Sequence, residues 1–79
     1  MKRNVSPVED VYTELANAIV FQAVKDYREA LKILIKKPSS MAARLTVAEV
    51  EVFFRSTWFS FLTTIDPEML IRELRAEVA

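Results

Sequence analysis

The sequence predicts an all-α fold: a small helical bundle in which one long N-terminal helix is packed by two shorter helices joined by a short aromatic-rich helical corner. Three observations carry that expectation. Apolar residues recur at three- and four-residue spacing for eight turns from Pro7, as an amphipathic helix requires. Serine, proline and aspartate stand where helices would begin, at Ser6-Pro7, Ser39-Ser40, Ser56 and Asp66-Pro67. Only Leu45 to Val52 has the β-branched composition of a strand, and no second candidate exists to pair with it.

Met1 to Val5 lack periodicity and are expected to be disordered. Ser6, three residues before Glu9 and directly before Pro7, forms a capping box that starts the first helix. Val8, Tyr12, Leu15, Ala16, Ile19, Ala23, Tyr27, Ala30, Leu31 and Leu34 fall on one face of it. Pro38 ends the run, because proline disfavours helical geometry in the residue before it and has no N–H to donate. Thirty residues at ~1.5 Å each give a helix of roughly 45 Å.

Ser39 or Ser40 caps a second helix from Met41 to about Arg55. Its apolar residues form two stripes, Met41, Leu45, Ala48 and Val52 on one side and Ala43, Val47, Val50 and Phe54 on the other, so it is expected to be sandwiched between neighbours. Glu51 and Arg55 make a favourable i,i+4 pair. Ser56 caps a short helix to about Thr63, and Asp66 caps the last, from Pro67 to near the end. There Leu70, Ile71, Leu74 and Val78 share a face, and Glu68 is spaced to pair with Arg72. The two shorter main helices together nearly match the length of the first. There is no internal repeat, linker or domain boundary, so residues 1–79 read as one domain.

Composition narrows the chemistry. The 79 residues contain no Cys, no His and no Gly. Disulfides, thiolate or imidazole catalysis, histidine metal ligands and a glycine-rich phosphate loop are therefore excluded. Serines, threonines and acids remain, but no base accompanies a nucleophile at a suggestive spacing, and no enzyme activity, cofactor or metal is expected. Eleven basic residues balance eleven acidic ones, so no global charge draws the chain to nucleic acid or an anionic membrane. The longest apolar run, Ala18 to Phe21, is too short to cross a bilayer, and the expectation is a cytoplasmic protein. Apolar content of 52% is more than a monomer of this size easily hides, which points to self-association as a homodimer.

Taken together, Leu15-Ala16-Asn17-Ala18-Ile19-Val20, Gln22-Ala23-Val24, Asp26-Tyr27-Arg28, Phe53-Phe54-Arg55-Ser56, Trp58-Phe59, Leu62-Thr63, Ile65-Asp66 and Leu70-Ile71-Arg72 resemble a group of small uncharacterised proteins. Prophages and integrative elements of Gram-positive bacteria encode them. Pro67 stands where such sequences would carry glycine. The resemblance covers most of the chain from Leu15 and implies a genomic setting, with no activity attached.

Candidate sites follow from the helical wheel. Lys25, Arg28, Lys32 and Lys36 form a basic stripe that could track a phosphate backbone, but Glu29 interrupts it and no aromatic residue interleaves. A solvated face is the plainer reading, since acids at the other end, Glu9, Asp10 and Glu14, complement the helix dipole along with it. Phe21 and Val24 on the first helix, with Val47 and Val50 on the second, are candidates for a protein-interaction surface. Five of the eight aromatic residues lie between Phe53 and Phe61. Trp58 and Phe59 are expected to fill the core at this corner, with Asp26 pairing across to Arg55. The competing reading makes Arg55, Ser56, Trp58 and Thr63 an aromatic recognition pocket.

Overall fold

The computed structural model describes residues 7–78, and they form four helices with no strand. They are α1 (Pro7–Lys36), α2 (Met41–Phe54), α3 (Thr57–Leu62) and α4 (Pro67–Val78). Ser6 and the expected disorder of residues 1–5 lie outside the described residues. The molecule measures 50 × 21 × 18 Å, and α1 sets the long dimension.

The boundaries follow the start signals. Ser40 accepts the Ala43 N–H at 3.3 Å to cap α2, and Ser56 accepts the Phe59 N–H at 3.1 Å to cap α3. The Ser56 hydroxyl also donates to the Phe53 carbonyl at 2.6 Å, tying the end of α2 to the start of α3. Asp66 accepts the Glu68 N–H at 3.1 Å at the head of α4. No described residue has positive φ, so every turn is built without the left-handed conformation that glycine supplies.

The core is formed where α2, α3 and α4 pack against α1. Tyr27, Phe54 and Phe59 are its largest fully buried side chains, with Ala30, Leu31, Ala43, Val47, Ile71 and Leu74 around them. Phe54 meets Tyr27 and Phe59 edge-on at 5.6 and 5.4 Å between ring centroids, within the range aromatic pairs prefer. Leu70, Ile71, Leu74 and Val78 all turn inward or half inward, as their shared face predicts.

Two expectations need correction here. Trp58 is not core: it is 55% exposed and touches Phe53 edge-on at 5.5 Å. A six-residue helix lying on a surface directs few of its side chains inward, and Phe59 takes that place. Trp58, ~100° around the helix, is carried outward. Second, α2 is not sandwiched. Ala43, Val47, Val50 and Phe54 face the core, while Met41, Leu45, Ala48 and Val52 stay exposed. Small Ala43 and flat Phe54 let α1 come close on the first stripe, and no helix among the described residues covers the second. The shorter helices are laid against α1, as expected. Helix α4 doubles back beside α2, placing Glu68 against Arg55 and Arg75 against Glu51. Both therefore cover the C-terminal half of α1, and its first turns project beyond the bundle. Val8 is 77% exposed and Val11, Tyr12 and Leu15 are also exposed, with the Tyr12 hydroxyl just reaching the Phe61 carbonyl at 3.5 Å.

The packing sets the cost of substitution. Phe54→Ala should destabilise by ~3–5 kcal/mol. Trp58→Ala should cost about 1 kcal/mol, the size of one edge-on aromatic contact. Urea unfolding followed by circular dichroism separates the two.

Candidate protein-interaction surface

The polar framework determines which charges are spent inside the molecule and which are left for partners. Glu51 is at its centre. Its Oε2 accepts from the Tyr27 hydroxyl at 2.6 Å and from Arg75 Nη2 at 2.6 Å, and its Oε1 accepts from Arg55 Nη1 at 3.3 Å. Arg55 also makes a two-pronged bridge to Glu68, at 2.6 and 3.1 Å. A second fork joins Arg28 to Glu77, at 2.6 and 3.0 Å, and ties α1 to the end of α4.

These contacts revise two predicted pairings. Arg55 does not meet Asp26; Asp26 instead accepts from Gln22 one turn earlier at 2.8 Å. Asp26 borders a groove beside Ala42 and Thr46, near the start of α2. Arg55 lies at least nine residues further on, which is ~14 Å of helix. Glu68 pairs with Arg55 rather than Arg72, because the returning α4 brings its first turn to the end of α2. The Glu51–Arg55 pair forms as its spacing predicts.

The aromatic pocket is also different from expectation. A cleft of about 480 Å³ opens at the corner, lined by Arg55, Ser56 and Thr63 over Phe54 and Phe59, and Trp58 is not among its walls. Arg55 is held by two glutamates there, so it has little charge to offer a ligand. Among the described residues no three acids cluster closely enough to hold a metal ion, and no helix is long and apolar enough to cross a membrane.

The predicted interaction residues divide. Phe21 is exposed at 67%, whereas Val24 and Val50 are half-buried against the core and Val47 is buried in it. Val47 and Val50 thus belong to the fold, and the free face of α2 is the opposite stripe, Met41, Leu45 and Val52. On α1 the sequence reading missed the free face Val8, Val11, Tyr12 and Leu15, since a regular apolar stripe gives no sign of where its covering stops. In the basic stripe Lys25, Lys32 and Lys36 are exposed, but Arg28 is engaged by Glu77.

No family model, curated protein or solved structure matches the chain.

The ionic framework predicts a pH profile. Burial alone would raise the Glu51 carboxyl, but hydrogen bonds from Tyr27 and Arg75, the Arg75 charge and a bond from Arg55 carry it below the ordinary range. The hydrogen bonds of Arg55 and Arg28 likewise lower Glu68 and Glu77. Groups with lowered folded values contribute stability above the unfolded value of 4.5 and lose it as pH falls through the folded one. Urea midpoints should therefore hold from neutral pH to about 4.5 and drop below it, with a shallower drop in Glu51→Gln. Tyr27 acts at the alkaline end. Burial and the Glu51 carboxylate push its phenol up to about 12, so its contribution is complete below 10.0 and is lost as pH rises through 12. Tyr27→Phe should remove the corresponding late rise in tyrosinate absorbance.

Proposed function

We propose that this protein is a small non-enzymatic interaction module of a mobile genetic element, and that it works by self-association. The observation that carries the reading is the contrast between a closed core and two open apolar faces. The core leaves no buried side-chain polar atom unpartnered among the described residues. Yet Val8, Val11, Tyr12 and Leu15 at one end and Met41, Leu45 and Val52 on α2 remain in water. Regularly spaced apolar residues on helices that already have a core are what helix-in-groove and helix-pairing contacts use. The mobile-element setting comes from the sequence resemblance. The alternative is a nucleic-acid accessory protein using Lys25, Arg28, Lys32 and Lys36, and it is weakened by the Arg28–Glu77 fork.

Light scattering over a dilution series, with a DNA-binding titration at low and high salt, separates these readings. Self-association is expected, with Leu45→Asp or Leu15→Asp reducing it if their faces take part, and with no DNA binding at low salt. A monomer at every concentration, with DNA affinity falling steeply as salt rises, would replace this proposal with the nucleic-acid one.

A further inference from the structure

One stripe of α1 has the order of signs that the helix dipole favours, but a spacing that the dipole does not require. At ~100° per residue, Asp10, Glu14, Phe21, Lys25, Arg28 and Lys32 fall within roughly one sixth of the helix circumference. Two acids come first, an exposed phenylalanine stands in the middle, and the bases follow. The spacing is antisymmetric about Phe21. Glu14 lies seven residues before it and Arg28 seven after; Asp10 lies eleven before and Lys32 eleven after. Phe21 is also at the midpoint of α1, which runs from Pro7 to Lys36.

Resting on the self-association reading above, we infer that this stripe, on a different side of α1 from Val8, Val11, Tyr12 and Leu15, is a contact face, with a second copy of the chain laid antiparallel across it and the two-fold axis passing at Phe21. An antiparallel two-fold places each position opposite the one equally far on the other side of Phe21. Asp10 then faces Lys32 of the second copy and Glu14 faces Arg28, each twice; because Arg28 already holds Glu77, the Asp10–Lys32 pairs carry most of the charge complementarity. The two phenylalanines meet at the centre, where aromatic anchors contribute most. Such an interface is isologous and closes at two copies.

The charges need a partner more than a helix surface usually does. Asp10 and Glu14 stand at i,i+4, as do Arg28 and Lys32, and like charges at that spacing destabilise a helix. Among the described residues Glu77 relieves Arg28 directly, through the fork, and Lys32 in part, through its charge. Asp10, Glu14 and Lys25 make no ion pair among the described residues. From Pro7 to Val24 the chain carries three acids and no base; from Lys25 to Lys37 it carries five bases and two acids, a net of plus three. Parallel pairing would set acid on acid and base on base, so only the antiparallel arrangement is complementary. Lys25, Lys32, Glu14 and Asp10 are all exposed on this side of α1.

The test is charge reversal in the full chain, read as dimer dissociation constants by sedimentation equilibrium, with circular dichroism confirming helix content. Asp10→Lys and Lys32→Glu should each weaken the dimer about tenfold, because each replaces two attractions by two repulsions. An equimolar mixture of the two variants should recover wild-type strength. In the mixed dimer one Asp10–Lys32 pair has both of its charges reversed and the other is unchanged, so both attract. Phe21→Ser should weaken the dimer at least as much as either reversal, and wild-type association should decline with salt. If both reversals and Phe21→Ser dimerise like the wild type while Leu45→Asp or Leu15→Asp does not, this face is wrong and self-association stands. A wild-type chain that stays monomeric overturns both.

Discussion

The buried tyrosine at position 27 is the constraint on which the arrangement of helices depends. Its ring is fully buried between α1 and Phe54, and its hydroxyl must find a partner there or incur the desolvation cost of an orphaned polar group. Glu51 supplies that partner, and a half-buried carboxylate in turn needs cations. Arg75 from α4 and Arg55 from the end of α2 provide them, with the Arg75 guanidinium 6.0 Å above the Tyr27 ring. One buried hydroxyl therefore fixes where α4 runs: back along α2, with its last turns beside Glu51. Breaking one member leaves the others uncompensated, which makes this network a specifier of helix order as well as a source of stability.

From that placement the exposed surfaces follow. With α2 and α4 both committed to the C-terminal half of α1, the apolar stripe of α1 outruns its cover, and α2 shows its second stripe to water. The stretch from Phe53 to Leu62 is a corner whose residues are sorted by direction. Phe54 and Phe59 point in, and Trp58 and Phe61 point out. Its aromatic density is divided between holding the bundle together and enlarging the apolar surface near the projecting end of α1.

Much of the fold was legible in the residues because its signals are local. Ser40, Ser56 and Asp66 cap what they are placed to cap, and Pro38 lies just past the end of α1. What could not be read depends on the third dimension. Periodicity says that Val8, Tyr12 and Leu15 form a face with Ala23 and Tyr27, but not that the face is covered along only part of its length. Two stripes on α2 are visible, yet which of them meets α1 is decided by the fit of Ala43 and Phe54. The choice of Glu68 over Asp26 as partner to Arg55 likewise depends on the return path of α4, and no spacing within α2 encodes that path. Of the candidate interaction residues, Phe21 is exposed, as its place on the polar side of the wheel suggests, while Val47 and Val50 are apolar for the ordinary reason that they pack in or against the core.

The projecting end of α1 also divides a single helix between two regimes of motion. Around Tyr27, Ala30 and Leu31 the backbone amides are locked under the core, so they open to solvent only when the whole domain unfolds. From Val8 to Leu15 no such lock exists, and local fraying suffices. A continuous run of hydrogen bonds thus carries a steep gradient in exchange lifetime along its axis. Because of that gradient, whatever docks on the outer turns gains part of its effect by ordering them, and its arrival is written in the protection of a few amides while the rest of the molecule stays as it was.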